Sequence, residues 1–465
     1  MYRIYFNRVK QVYELTELVR MFLPPSEFCI LEKDPLEEPA GAEGGILIRL
    51  PDSVTSRDDG KRYLYDCLKD YTGRSLDWGT LTGVRPVKLV GDLLAAGNTP
   101  EQVRDCLVKQ YYLSPEKAEL LINIRNTQHP YLQMETAGAI GVYIGIPFCP
   151  TRCIYCSFPS NQVSYDRVPP YLDALEREIR FAGEAVAKRG WYPESVYVGG
   201  GTPTTLEDKD LERLLKIVRT SFDLGQLLEF TVEAGRPDTI TESKLTVLKE
   251  NGVDRISINP QSMKQETLDR IGRCHRPEDV IAAFHMAQNV GFKVINADLI
   301  AGLPGEEPED FLYSLKSVMN LEPENITVHT LAVKRASKLK EMDEDYSYRQ
   351  GEKVRKMLDR GQQLLNSAGY MPYYLYRQKQ MAGNFENVGY SFPGKESLYN
   401  IRIMEENQTI LALGAGGISK AWYPDQNRLE RIPNVSNYEI YIERIEEMIQ
   451  RKKDGIFTDF KEERQ

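Results

Sequence analysis

Apolar positions along the 465-residue chain change their spacing twice. In residues 1–75, short apolar runs at Tyr2–Phe6 and Gly45–Leu50 read as strands, and Val12–Phe22 repeats apolar residues at helical intervals. The stretch Lys33–Gly44, with its acids, prolines and glycines, reads as a loop. Residues 76–136 turn helical. Pro100–Gln110 and Pro115–Asn126 both begin with proline, and Ser114 stands as the N-cap of the second. From Ala137 a regular alternation starts. Strands are predicted at Ile140–Ile146, Ser195–Gly199, Leu228–Ala234, Asp254–Ile258, Lys293–Leu299 and Ile326–Leu331. Amphipathic helices fall between them at Tyr171–Ala187, Asp208–Ser221, Ser243–Asn251, Pro277–Val290 and Pro308–Met319. Six strands alternating with helices imply an α/β fold with a parallel sheet wound in one hand. An open partial (β/α)6 relative of the eight-fold barrel is expected over residues 137–335. It follows a mixed α/β unit (1–75) and a helical segment (76–136), and precedes a helical and mixed region (336–465) that covers the substrate.

Composition narrows the class. The formal charge of −9 argues against a general binder of nucleic acid or anionic membranes. No run approaches the length of a membrane span, and MYRIYFNRVK lacks an apolar signal core, so a cytoplasmic protein is expected. Seven cysteines, odd in number and scattered, fit a reducing compartment. Cys29, Cys67 and Cys106 have apolar neighbours and read as buried packing residues.

The other cysteines carry chemistry. Cys149, Cys153 and Cys156 fall within eight residues, just after the first barrel strand. Three thiolates on a short loop can hold three irons of a [4Fe–4S] cluster and leave the fourth open to a small molecule; a zinc site or three reduced thiols are the alternatives. Zinc sites usually pair two C-x2-C knuckles or add histidines, and neither lies nearby. Function in such barrels gathers at the C-terminal ends of strands. There the sequence places Gly199-Gly-Gly201-Thr202-Pro-Thr204, Glu233, Gln261 and Asp298. The glycines let backbone approach a ligand, and the acids and amide suit ribose hydroxyls. No phosphate-binding P-loop, dinucleotide GxGxxG or Ser–His–Asp set appears. Thr82-Gly-Val-Arg85-Pro86 reads as a structural turn in preference to an anion site.

These pieces (YIGIPFCPTRCIYC, GGGTPT, TVEA, RISINPQSM, IGRCH and INADLIAGLPGE) resemble the radical S-adenosylmethionine (SAM) proteins around oxygen-independent coproporphyrinogen III dehydrogenase, including related heme chaperones. The N-terminal extension and the tail YYLYRQKQMAGN resemble the HemZ branch. The resemblance implies a [4Fe–4S] cluster on Cys149, Cys153 and Cys156, and SAM as the second cofactor. It places Tyr143 beside cluster and SAM, Tyr155 near the adenine, and Gly200, Gly201 and Thr202 on the methionine moiety. Glu233, Gln261, Arg273 and Asp298 would hold ribose and carboxylate. The implied reaction converts coproporphyrinogen III propionates to vinyl groups, with a flavodoxin or ferredoxin as electron donor. A heme chaperone or another tetrapyrrole-modifying enzyme is the alternative. The chain departs from the dehydrogenases at Phe158, where they carry a fourth cysteine, and at Gly145, where they carry histidine. It departs from the chaperones at Ser157, where they carry aspartate. Arg377 and Lys379, among tyrosines, together with His329, are expected at the tetrapyrrole. His275 is a weaker candidate for that contact, and His285 is expected to be structural.

Overall fold

The computed structural model describes residues 1–457 apart from 8, 36–44, 84, 135, 136, 157–160, 335, 336, 344, 345, 380 and the side chain of Lys340. Most of the expected 33–44 loop lies outside the described residues, as do Ser157 and Phe158. Three strands, β1 (Tyr2–Tyr5), β2 (Phe28–Ile30) and β3 (Ile46–Arg49), form a small parallel sheet of order β2-β1-β3. Helices Val12–Phe22 and Arg57–Thr72 share its core through Leu15, Leu18, Phe22, Leu64 and Leu68. At three residues, β2 is too short to show a period in sequence. Helices Pro86–Ala95, Pro100–Lys109 and Pro115–Leu132 follow, and Ser114 accepts from the Lys117 N–H at 3.2 Å as a cap should. Cys29, Cys67 and Cys106 are half-buried, less enclosed than their apolar neighbours imply.

The main sheet begins with β4 (Ala139–Ile146), β5 (Tyr192–Gly200), β6 (Glu229–Gly235), β7 (Arg255–Gln261), β8 (Val294–Ala301) and β9 (Asn325–Thr330). Each runs parallel to the next, and helices between them return the chain. Strands covered on both faces read as near-continuous apolar runs, and Val142, Ile144, Val196, Val198 and Val232 are all buried. The sheet does not stop there. β10 (Met371–Arg377) and β11 (Glu386–Ser391) extend it antiparallel beyond β9. On the other side β12 (Ile410–Leu413) pairs parallel with β4, followed by β13 (Ile418–Tyr423) and β14 (Arg428–Pro433). The eleven-stranded order β10-β11-β9-β8-β7-β6-β5-β4-β12-β13-β14 is open, not a closed barrel. Residues past 335 therefore supply both flanks of the sheet.

Two contacts lock its outer layer. Helix Val168–Lys188 meets helix Asp208–Ser221 at Gly183, where a Cβ would stand 2.0 Å from the Ser221 carbonyl oxygen. Glu178 on the same helix takes Lys452 Nζ at 2.6 Å, the Tyr441 hydroxyl at 2.6 Å and the Gly414 N–H at 2.7 Å. That carboxylate and that amine have no solvent exposure.

Candidate active site

Alternation along parallel strands sends every second side chain to the same face. Pairing of Tyr143 with Tyr197, Ser257 with Asn296, and Asp298 with Thr327 puts these residues on the inner face of the curved sheet. Glu233 and His329 join them. Tyr197 stacks on Tyr399 at 4.6 Å between centroids and on Tyr143 at 6.2 Å. Its hydroxyl donates to Glu233 Oε1 at 2.6 Å. Burial still pushes the Glu233 carboxyl up to about 7, with the Asp298 charge adding to the rise. Asp298 accepts from Asn296 Nδ2 at 2.7 Å and lies 3.5 Å from His329 Nε2. The other ring nitrogen of His329 is 3.4 Å from the Tyr376 hydroxyl.

The cysteine loop leaves β4 at the same end. Cys153 is buried, and Cys149 and Cys156 are half-buried. Burial raises the Cys149 thiol to about 11 against the lowering contact with Thr202, and the neighbouring Cys156 and Cys153 add to the rise. Among the described residues no three histidine, cysteine or carboxylate groups stand close enough to hold a single metal ion. Each thiolate of an iron–sulfur cluster binds a different iron, so the thiols need not converge on one point.

Backbone and buried cations fix the loop. The Ile154 N–H donates to the Ile271 carbonyl at 3.1 Å. Arg236, buried just past β6, donates through Nη1 to Thr151 Oγ1 at 2.5 Å, while Asp238 takes its Nε and Nη2 at 3.0 Å each. Arg236 was not legible as a site residue; a buried arginine fork declares itself only once its partners are placed.

The glycine loop forms a cradle beside the cysteines. Thr202 Oγ1 is 3.5 Å from Cys149 Sγ. A Cβ on Gly201 would stand 2.5 Å from the Phe148 carbonyl oxygen and 3.0 Å from Cys149 Sγ. Gly200 has φ of 111°, a backbone only glycine adopts readily. Gln261 ends β7 at φ 67°, a strained position for a residue with a side chain, and its Oε1 is buried without a partner. Arg273 donates to the Asn259 carbonyl at 2.7 Å and lies 3.4 Å from the Tyr155 hydroxyl, yet its buried Nε has no partner. Buried polar atoms left orphaned in this way call for an explanation, and a ligand bound here would supply one.

A cavity of about 250 Å³ adjoins the cradle, lined by Tyr143, Gly145, Gly200 and Tyr399 and by Ile403, Ile410, Ala412 and Ile418. Lys420 also lines it, paired with Glu406 at 3.4 Å and donating to the Ile403 carbonyl at 3.2 Å; burial and then Arg85 lower its amine to about 8 despite Glu406. Tyr197, Tyr399 and Lys420 escaped the sequence reading. Tyr197 shares the parity of the glycines that follow it, a usable signal, whereas Tyr399 and Lys420 lie in a region with no motif.

Of the residues expected at the tetrapyrrole, only His329 lies on the inner face of the sheet, beside Asp298 and Tyr376, and it does not line this cavity. Strand alternation turns Tyr374 and Tyr376 inward and Arg377 outward. Arg377 donates to the Leu81 and Asn384 carbonyls at 2.5 and 2.9 Å and stacks over Trp78. Lys379 pairs with Glu17 of the first unit at 3.2 Å. Neither cation lines the inner cavity. His275 is buried with both ring nitrogens unpartnered, and burial together with Arg273 lowers it to about 4. His285 lies on an exposed helix face.

Residues 143–318 match the radical SAM superfamily. Over 390 residues, 83% of the chain, it is 43% identical to the oxygen-independent coproporphyrinogen-III oxidase-like protein HemZ of Bacillus subtilis, covering 78% of that protein. The chain belongs to the HemZ family of radical SAM proteins. It is also 38% identical over 197 residues to the heme chaperone HemW of Bacillus subtilis, which is 41% of this chain and 50% of that one. Its fold matches the solved coproporphyrinogen III oxidase HemN of Escherichia coli with a TM-score of 0.54. That match has 24% identity and covers 70% of this chain and 73% of HemN. Radical SAM proteins use a [4Fe–4S] cluster and SAM. The three-thiol loop, the glycine cradle and the orphaned Gln261 and Arg273 atoms fit that pair. No helix among the described residues is long and apolar enough to cross a membrane.

Proposed function

We propose that this HemZ-family protein decarboxylates two propionate side chains of coproporphyrinogen III to vinyl groups, giving protoporphyrinogen IX. The observation that carries the reading is the continuity of the glycine cradle with an apolar, tyrosine-walled cavity that has the Lys420–Glu406 pair at its wall. When bound, the cluster and SAM supply a 5′-deoxyadenosyl radical, made with one electron from a flavodoxin or ferredoxin.

Everything else falls to this chain's residues. Cys149, Cys153 and Cys156 would hold the cluster, and Gly200–Thr202 would grip the amino acid end of SAM. Gln261 Oε1 and Arg273 Nε would meet SAM's polar groups. Glu233 and Asp298 would accept from its ribose, and Tyr143 and Tyr155 would flank it. Tyr143, Tyr399 and the isoleucines would exclude water and seat the tetrapyrrole beside the radical carbon. Lys420 would pair with a propionate, a contact that gains strength in an apolar cavity. Hydrogen abstraction from the propionate carbon next to the ring lets the C–CO₂ bond break. Each vinyl group then costs the substrate one hydrogen atom, one CO₂ and one electron, and the electron leaves to a one-electron acceptor.

The partial match to HemW supports a second reading, a heme chaperone on the same fold. Anaerobic incubation with coproporphyrinogen III, SAM and a low-potential reductant separates the two. We expect 5′-deoxyadenosine, CO₂ and protoporphyrinogen, with little heme bound. Tight one-to-one heme binding without CO₂ release would overturn the enzyme reading in favour of the chaperone.

A further inference from the structure

A second and larger concavity, about 430 Å³, lies away from the glycine cradle, between the first unit, the helical segment and the residues that follow β10. Thr82, Gly83, Arg85 and Pro86 of the sequence turn TGVRP form part of its wall. Five cationic side chains line it, Arg57, Lys61, Arg62, Arg85 and Lys379, against three carboxylates, Glu14, Glu17 and Asp58. Two of these cations are also met from outside the groove, Arg62 by Asp59 and Arg85 by Glu406, each at 2.5 Å, and Glu406 is shared with Arg431 at 2.9 Å and Lys420 at 3.4 Å. Lys61 is the buried member. Its Nζ donates to Thr82 Oγ1 at 2.9 Å, and its nearest carboxylate, Glu14, stands off at 3.4 Å and is shared with Arg57 at 3.3 Å. Burial pulls the Lys61 amine below its usual range, and the Glu14 charge only partly opposes it. Across the groove Lys379 Nζ sits 4.0 Å over the exposed ring of Tyr13. Leu81, Leu89 and Tyr111 supply apolar wall.

We propose that this groove binds a small organic anion, with its oxyanion group among Lys61, Arg57 and Arg85 and its apolar body against Leu89 and Tyr111. Phosphate and carboxylate heads share the chemistry that these cations recognise. The cavity falls in the range of sites for small ligands, so the partner is of mononucleotide size. Burying Lys61 with a single carboxylate that it shares with Arg57 disfavours the empty state, and an anion beside it relieves that cost. The ligand therefore stabilises the first unit as it binds. This gives the N-terminal extension a role separate from the cluster, and it stands whether or not the decarboxylation reading holds.

Calorimetric titration of the full-length chain with adenosine 5′-monophosphate and with succinate tests the proposal. At least one should bind saturably, with a thermal shift to match, and which one responds tells phosphate from carboxylate. Lys61→Met should weaken binding at least about tenfold. Glu14→Gln removes a competing carboxylate and should tighten it several-fold, a gain that a damaged fold does not produce. The exposed Lys379→Ala should weaken it modestly and more so at low salt. The proposal is overturned if neither anion binds up to about 10 mM, or if Lys61→Met with intact thermal unfolding binds as the parent does, or if Glu14→Gln weakens binding.

Discussion

Glu306 shows what a single buried group contributes to the pH response of this fold. Its Oε1 takes the Ser262 hydroxyl at 2.6 Å, and burial raises the carboxyl to about 7. A carboxyl held protonated by the folded state stabilises that state fully below its unfolded value near 4.5. That contribution fades as pH rises through about 7. Glu233 carries the same sign in the same window. Thermal unfolding followed from about pH 5 to about pH 8 should show stability falling. Glu306→Gln keeps the acceptor for Ser262 and should flatten part of that slope, recovering up to about 3 kcal/mol at the alkaline end. At the proposed SAM site, Arg273→Ala and Asp298→Ala would each remove a charge-assisted contact. SAM affinity should drop by about ten- to a hundredfold, with iron content unchanged. Equal affinity in both variants, read by equilibrium dialysis, would return these residues to structural duty. The placing of the cysteines, the glycine cradle and the strand-end acids at one end of the sheet was legible because spacing and strand position both pointed there. Arg236, Tyr399 and Lys420 were not, because each acquires meaning only from partners remote in sequence. Arg377 misled for a related reason: among tyrosines it looked like a carboxylate binder, but the parity of its strand faces it outward.

The elements were read well where their period was long and regular. All six parallel strands and the five helices between them stand close to where apolar spacing put them. Departures came at the margins, with the three-residue β2 and with β10–β14, whose partners lie far off in sequence. The helix-to-helix contact at Gly183 makes a test at this scale. Its missing Cβ lets helix Val168–Lys188 approach the end of helix Asp208–Ser221, and the intruding atom would meet a backbone carbonyl, which cannot swing aside. Gly183→Ala should therefore cost about 1–3 kcal/mol despite alanine's better helix propensity. Chemical denaturation should show a lower midpoint; an unchanged or higher one would mean the helices separate freely.

The whole molecule is tied together by the C-terminal residues. Lys452, on helix Ile445–Gly455, reaches into the barrel layer to pair with Glu178, and Asn434 Oδ1 takes the same amine at 2.7 Å. Burial opposes the Glu178 charge, but Lys452 and the surrounding donors overcome it and hold the carboxyl below its usual range. Lys452→Met strands that carboxylate in the interior and should cost about 3–5 kcal/mol. Pairing it with Glu178→Gln should restore part of the loss, measured as the unfolding temperature of each variant.

The partnership of β4 with β12 also fixes an order of events during translation. Residues 139–146 leave the ribosome with the cysteine loop close behind them, but their neighbour on one side, residues 410–413, is not yet made. At usual synthesis rates the wait is on the order of tens of seconds. Throughout it β4 is an open sheet edge, a surface that attracts other chains, and the nascent thiols stand without the wall that later encloses their end of the sheet. Until residues 410–413 pair with it, that edge stays exposed to misassembly, and their pairing closes it.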